Sequence, residues 1–239
     1  MKEMAMKVVV LGATGATGRL VVAQLLDSGC QVTALVRNLS VLEAHAHLQQ
    51  VKETALSMES EQLESLLADS DALVCCLGHN LTLQGVYGTP RMLVRDSLQR
   101  VASLLSVKRE QPLKIALMSS TGVRNVLLKE SVPSLERSIN VLLRWLLPPH
   151  RDNERAAQFL QRQGSRHHAL QWAMVRPDTL IDRAEVSEYS WHSSPTRSAL
   201  FNAGETSRIN VAHALCQLVL DDALWQQWQS KTPVIYNVE

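Results

Sequence analysis

At 239 residues the chain is long enough to bury a sizeable core, and a single domain spanning 1–239 suits a sheet layered with helices. With 24 basic and 23 acidic residues the net charge is +1, which argues against a nucleic-acid partner or a basic membrane patch and leaves a small molecule as the expected partner. Four cysteines (Cys30, Cys75, Cys76, Cys216) form no C-x-x-C pair, the N-terminal residues lack a signal-peptide order and no apolar run approaches a membrane span. We therefore expect a soluble, cytoplasmic protein with reduced thiols.

In chain order, Val8 to Leu11 is an apolar run expected as a strand buried on both faces. It feeds Gly12-Ala13-Thr14-Gly15-Ala16-Thr17-Gly18, after which Leu20, Val21, Gln24 and Leu25 have helical spacing. Strand, glycine turn and helix N-terminus form an anion site: Gly12 allows the turn, Gly15 lets a pyrophosphate approach the main chain, and Gly18 lets the helix pack on the strand. The spacing is G-x-x-G-x-x-G with no lysine after Gly18, which argues against nucleotide triphosphate hydrolysis. The plainer alternative is an ordinary glycine-rich turn.

The helix should stop near Ser28-Gly29, and Gln31 to Val36 reads as a second strand. An acidic residue roughly 20 residues beyond such a turn usually holds the ribose hydroxyls of NAD. Here the position is occupied by Arg37-Asn38, and a guanidinium pairs with a 2′-phosphate, which favours NADP (NADPH) over a solvated arginine. Leu39 to Leu48 is expected as a helix. Its histidines, His45 and His47, are two apart and so do not share a helix face, which makes a metal site there improbable. Gln50 to Leu56 is expected as a strand and Ser60 to Leu67 as a helix.

Asp71 to His79 is an apolar strand ending in Leu77-Gly78-His79, whose carboxyl end should lie beside the glycine turn. His79 is thereby placed near chemistry, although a loop histidine without a catalytic role is the commoner case. Thr89-Pro90 should start a long helix, with Val94, Leu98, Val101 and Leu105 as its core stripe. Pro112 to Met118 is another strand, leading to Ser119-Ser120-Thr121-Gly122, where hydroxyls either contact a ligand or cap a turn. Pro133 to Leu147 reads as a helix with a wide apolar stripe, suited to core packing, to closing over a pocket or to contact with another copy in a homo-oligomer.

Asp152 should cap the next helix, which runs through Ala156, Phe159 and Leu160 to Gly164. Gln171 to Val175 is a sixth strand followed by Arg176-Pro177-Asp178. The segment from Glu185 to Glu205 lacks periodicity and suits a lid over a site. Asn210 is expected to cap a helix, and Pro233 to Val238 to form a closing strand.

With this alternation the chain resembles the short-chain dehydrogenase/reductase superfamily, and more narrowly its atypical NAD(P)H-binding branch, which includes NmrA-like proteins and biliverdin/flavin reductases. The resemblance is carried by Gly12 to Gly18, Leu35-Val36-Arg37, Met118-Ser119-Ser120, Val175-Arg176-Pro177 and Thr206 to Ala212. It implies an α/β fold, a doubly wound parallel sheet (Rossmann fold), with a small C-terminal substrate-side region. It also implies that Gly12, Ala13, Thr14, Gly15, Ala16, Thr17 and Gly18 bind the pyrophosphate, Arg37 with Asn38 the 2′-phosphate side and Leu77, Gly78 and His79 the adenine-side ribose. Ser119, Ser120, Arg176 and Pro177 would then bind the nicotinamide end.

One departure limits the reaction. Carbonyl-reducing members use Tyr-x-x-x-Lys, in which the lysine lowers the tyrosine pKa. None of Tyr87, Tyr189 and Tyr236 is followed by lysine at that spacing, and His150-Arg151-Asp152-Asn153-Glu154, where the pair is expected, holds neither residue. No catalytic residue is assigned. Flavins and quinones accept hydride with protons from solvent, so we expect an NADPH-dependent reductase of a flavin, quinone or similar small-molecule acceptor. Trp145, Tyr189 and Trp191 are candidates for a stacking surface. The alternative is a non-catalytic NADP(H)-binding redox sensor acting through a protein partner.

Overall fold

The computed structural model describes residues 5–39, 41–79, 89–105, 109–123, 125, 148–163, 168–198 and 202–238. Tyr87 and the helix expected at Pro133 to Leu147, with Trp145, lie outside them. Strands β1 (Lys7–Leu11), β2 (Gln31–Leu35), β3 (Leu48–Val51), β4 (Ala72–Cys75), β5 (Leu113–Met118), β6 (Leu170–Pro177), β8 (Tyr189–His192) and β10 (Val234–Asn237) form one sheet. Their spatial order is β3-β2-β1-β4-β5-β6-β10-β8, and every pairing is parallel except that of β8 with β10. The chain thus moves outward from β1 in one direction to β3, then returns to β4 on the other side of β1, which opens a crevice at the carboxyl ends of β1 and β4. A second, two-stranded sheet pairs β7 (Thr179–Ile181) with β9 (Glu205–Ser207).

The alternation along β1 explains the two layers. Val8 and Val10 point to one face, joined by buried residues of α1 (Gly18–Asp27), α5 (Arg208–Leu220) and α6 (Asp222–Trp228). Val9 and Leu11 point to the other, joined by residues of α2 (Ser60–Ala68), α3 (Leu93–Leu104) and α4 (Pro148–Gln163). Because both faces are covered, the central strands are apolar at most positions, which is why they read as near-continuous runs. The doubly wound parallel sheet expected from the sequence is what the chain forms.

Several local expectations are corrected. The described residues of 39–48 form no helix: β3 starts at Leu48, and the crossover closes with turns in which Leu48 N–H donates to His45 O at 3.0 Å. Leu39 and Val41 are exposed and, of the described residues here, only Leu42 and Leu48 pack partly against the core, so little of an apolar face is buried, and burial is what stabilises most helices. The expected strand over 50–56 is accordingly displaced to Leu48–Val51, whose register sets Val32 opposite Leu48. Asn210 does not cap α5. Ser207 does, accepting from Asn210 N at 3.3 Å, while the Asn210 side chain holds Ser187 and Asn237 from inside the helix.

Within the segment expected to be irregular, Tyr189 to His192 forms β8 and closes the sheet edge against β10. Its alternation is hard to read because all four of its residues are half-buried. Trp191 stacks on Trp228 with ring centroids 5.6 Å apart, and the Tyr189 hydroxyl meets His213 Nδ1 at 2.7 Å. These two aromatics are therefore used in packing β8 onto α5 and α6.

Candidate functional site

The glycine turn leaves β1 at its carboxyl end. Gly12 has φ +77, which side-chain-bearing residues rarely adopt, and a Cβ there would come within 2.6 Å of Cys76 O. Gly18 is under tighter constraint: a Cβ on it would lie 2.0 Å from Gly12 O. The turn is thus folded back on itself, closed by a bond from Gly15 N–H to Gly12 O at 3.0 Å. Ala13 and Thr17 are buried, Thr14 is half-buried, and Gly15 and Ala16 are exposed on the outside of the turn. The helix starting at Gly18 has no side-chain cap at Thr17 and no acidic residue in its first turn. Its N-terminal N–H groups and positive dipole end therefore face the open side of Gly15 and Ala16. Exposed backbone at Gly15, where no Cβ stands, fits the close approach of a dinucleotide's pyrophosphate.

Register aligns the neighbouring strand ends with this cradle. Leu11 pairs with Leu35, so Val36, Arg37 and Asn38 run alongside the turn, and Arg37 and Asn38 are exposed. On the other side Leu11 pairs with Cys75, and Cys76 N–H donates to Leu11 O at 2.8 Å. Leu77 and Gly78 follow, half-buried and exposed respectively. The structure therefore brings the turn, Arg37-Asn38 and Leu77-Gly78 to one edge.

His79, the next residue, is engaged by a carboxylate. Its Nε2 lies 2.8 Å from Asp152 Oδ2, and the two side chains are 5% and 0% exposed. The same carboxylate accepts from the backbone N–H groups of Val94 at 2.8 Å and Arg95 at 3.0 Å. Asp152 sits within α4 rather than ahead of it, and the helix it caps is α3. The expected start of that helix at Thr89-Pro90 is corrected too: α3 begins at Leu93, its N-cap Met92 offers no side-chain bond, and Thr89-Pro90 is a cis peptide. A carboxylate from a distant helix replaces the local cap, which no local motif could announce.

At the carboxyl end of β5, Ser119 is buried, donating its N–H to Val175 O at 2.8 Å, and its Oγ has no hydrogen-bond partner among the described residues. Ser120 is only half-buried and flanks Gly122. Arg176 and Pro177 close β6 instead of following it. Arg176 is 1% exposed. Its Nε donates to Thr232 O at 2.7 Å and another guanidinium nitrogen to Val123 O at 3.0 Å, tying the loop after β5 to the segment entering β10. Asp178 accepts from Thr121 Oγ1 at 3.1 Å and Gly204 N at 3.0 Å, and burial pushes its carboxyl above the usual value.

Two residues passed over in the sequence reading complete this edge. His150, on the first turn of α4, lies against the loop after β5: a Cβ on Gly122 would be 3.3 Å from its Cε1 and 3.5 Å from Ser120 Oγ. Glu154, one turn on, has Oε1 3.6 Å from His150 Nε2. The i, i+4 spacing was the available signal. By contrast, burial pushes the Tyr189 phenol up to about 12, away from what proton transfer near neutrality needs.

The thiols are passive. Burial raises Cys75 and Cys216 to about 12 and raises Cys30 as well. A thiol in that range is protonated and unreactive. No helix among the described residues is long and apolar enough to cross a membrane.

A doubly wound sheet with a glycine cradle at the carboxyl end of its first strand defines a dinucleotide-binding protein, and sequence comparison agrees. The profile of the NAD(P)H-binding family matches residues 12–222, and the chain belongs to that family. No curated protein matches the sequence. Among solved structures, it is similar to a protein provisionally assigned as an NADH-flavin reductase from Streptococcus pneumoniae, at TM-score 0.69 and 16% identity over 98% of this chain and 100% of that one. A short-chain dehydrogenase/reductase from Veillonella parvula in complex with NADP aligns at TM-score 0.69 and 15% identity, over 98% of this chain and 95% of that one. A protein from Bacillus halodurans provisionally assigned as an NAD-dependent epimerase/dehydratase gives TM-score 0.68 and 18% identity, with 98% and 95% covered. At these identities the likeness concerns the fold.

Proposed function

We propose that the protein is an NADPH-dependent reductase acting on a small hydride acceptor such as a flavin or quinone. The observation that carries the NADPH preference is Arg37. It is exposed in register with the glycine turn, has no hydrogen-bond or ion-pair partner among the described residues, and stands where NAD-binding relatives of this fold place a carboxylate. A guanidinium there attracts a 2′-phosphate bidentately, whereas a ribose diol offers it no charge to pair with. When bound, the dinucleotide supplies a hydride.

In this reading the turn from Gly12 to Gly18 receives the pyrophosphate on backbone N–H groups, Leu77 and Gly78 line the adenine-side ribose, and Ser120 contacts the nicotinamide end. His79, Ser119, Arg176 and Pro177 hold those contact groups in place. The Streptococcus pneumoniae neighbour's description as an NADH-flavin reductase supports the acceptor class and leaves the choice of dinucleotide to Arg37. The test is to titrate NADPH and NADH by fluorescence and then follow NADPH consumption with a flavin, a quinone and a small aldehyde. Tight NADPH binding with turnover of flavin or quinone is the expected result. Tight binding without turnover of any acceptor would overturn the enzyme reading in favour of a non-catalytic NADP(H) sensor working through a protein partner.

A further inference from the structure

The carboxyl edge of the sheet carries a second cation beside Arg37. Strands β2 and β3 pair in parallel up to Leu35 and Val51, and the ladder ends with Val36 N–H donating to Val51 O at 2.9 Å. The same carbonyl accepts from Glu53 N–H at 2.8 Å. A bond from residue 53 back to residue 51 closes a three-residue turn with Lys52 at its centre, a device common at strand ends. Lys52 therefore leaves the sheet beside the point where the chain passes from Val36 to Arg37, and both cations are exposed.

The backbone that presents Lys52 is anchored. Just downstream, Thr54 N–H donates to Ser57 Oγ at 2.9 Å and Ser57 N–H to Thr54 Oγ1 at 3.0 Å. Arg100 of α3 donates to Leu56 O at 2.7 Å and also to Met58 O, which ties this turn to the helix layer. The acid next in sequence is engaged: Glu53 Oε2 accepts from Ser57 Oγ. Lys52 and Arg37, by contrast, have no hydrogen bond or ion pair among the described residues. Two like charges on adjacent strand ends repel, and an anion received between them turns that cost into attraction.

Distance across the sheet selects the anion. Neighbouring strands lie about 4.8 Å apart, so β3, two strands from β1, stands about 10 Å from the glycine cradle that suits the pyrophosphate. The adenosine ribose of a dinucleotide on such a cradle reaches the end of β2, the strand between the two. We propose that Lys52 is a second cation for the 2′-phosphate of NADP and, with Arg37, determines the choice of dinucleotide. The inference rests on the NADPH reading above and extends it from one residue to a pair. The two cations are not equivalent: the guanidinium of Arg37 offers a planar fork, whereas the ammonium of Lys52 offers a point charge on a flexible stem.

The experiment uses the full chain and its Lys52→Met variant, which removes the charge from an exposed side chain and keeps most of its length. Fluorescence titration should show NADPH binding weakened about tenfold and NADH binding changed by less than about twofold. A second readout is phosphorus NMR of bound NADPH. A free phosphate monoester takes up its second proton near about pH 6, and a cation beside it favours the dianion. The bound 2′-phosphate should therefore titrate at a higher pH in Lys52→Met than in the wild type. If the variant binds NADPH as tightly as the wild type, loses NADPH and NADH alike, or leaves the 2′-phosphate titration unchanged, the inference falls. The NADPH reading then still stands on Arg37→Ala. A wild-type protein that binds NADH as tightly as NADPH overturns both.

Discussion

Asp152 and His79 are joined by a 2.8 Å contact between Oδ2 and Nε2, and the same carboxylate caps α3 through Val94 and Arg95. One side chain thus fastens the end of β4, the start of α3 and the body of α4 together. Asp152→Ala leaves a buried ring nitrogen, a buried N–H and a half-buried N–H without this acceptor, and it should cost about 3–5 kcal/mol in urea unfolding. A loss below about 1 kcal/mol, the level of an ordinary cap, would show that the network is not structural.

Gly18→Ala should be far more damaging than Gly29→Ala, although Gly29 is the one of the two with positive φ. A Cβ at Gly18 would lie 2.0 Å from Gly12 O, whereas one at Gly29, φ +79, meets nothing within 4 Å. Gly29→Ala therefore suffers only the left-handed backbone penalty of about 1–2 kcal/mol. Gly18→Ala must displace the turn, so NADPH affinity in a fluorescence titration should fall by more than about tenfold. Equal effects of the two substitutions would remove the cradle from the binding site.

Arg37→Ala should discriminate between the two dinucleotides. Losing a charge-assisted contact worth roughly 1.5–3 kcal/mol weakens NADPH binding about 10- to 100-fold and leaves NADH binding nearly unchanged. Parallel losses for both would take Arg37 off the 2′-phosphate.

Arg176→Ala should destabilise by about 2–5 kcal/mol, because Thr232 O and Val123 O would lose a buried donor. Differential scanning calorimetry reads this directly. A fall in NADPH affinity with unchanged stability would instead place the guanidinium on the cofactor.

His213 should make stability fall with acid. Burial lowers its pKa, so the unfolded chain binds a proton at a higher pH than the native one does. The stability contributed by neutral His213 is present above the unfolded value, about 6.5, and is lost as pH falls through the folded value. The Tyr189 hydroxyl lies 2.7 Å from Nδ1 of this ring, a contact in which a protonated ring can act only as donor. Thermal unfolding of His213→Gln between about pH 8 and 5 should show a smaller drop than that of the wild type. An identical drop would place the acid sensitivity elsewhere.

The legible part of the sequence was its central sheet. Val8 to Leu11 and the stretches within Asp71 to His79 and Pro112 to Met118 are mostly apolar, with Lys114 the polar exception inside a strand, a pattern that suits a strand covered on both faces, and all three became inner strands. Val94, Leu98, Val101 and Leu105 were likewise legible as one stripe, and all are buried. The errors lie at the periphery. The described residues of 39–48 include helix formers but leave Leu39 and Val41 exposed, and β8 is half-buried along its whole length, so periodicity fails for each.

The glycine turn was readable for a local reason. Its three glycines answer to steric limits within a few residues of chain, Gly18 against Gly12 above all, and the dinucleotide family follows from them. What only the tertiary structure decided was the assignment of polar side chains, because each is satisfied by a partner far away in sequence. Asp152 caps a helix that starts at Leu93, Arg176 is held by carbonyls of Thr232 and Val123, and His150 faces Gly122. Local sterics leave a mark in adjacent residues. Long-range hydrogen bonds are written only in the packing that brings their ends together.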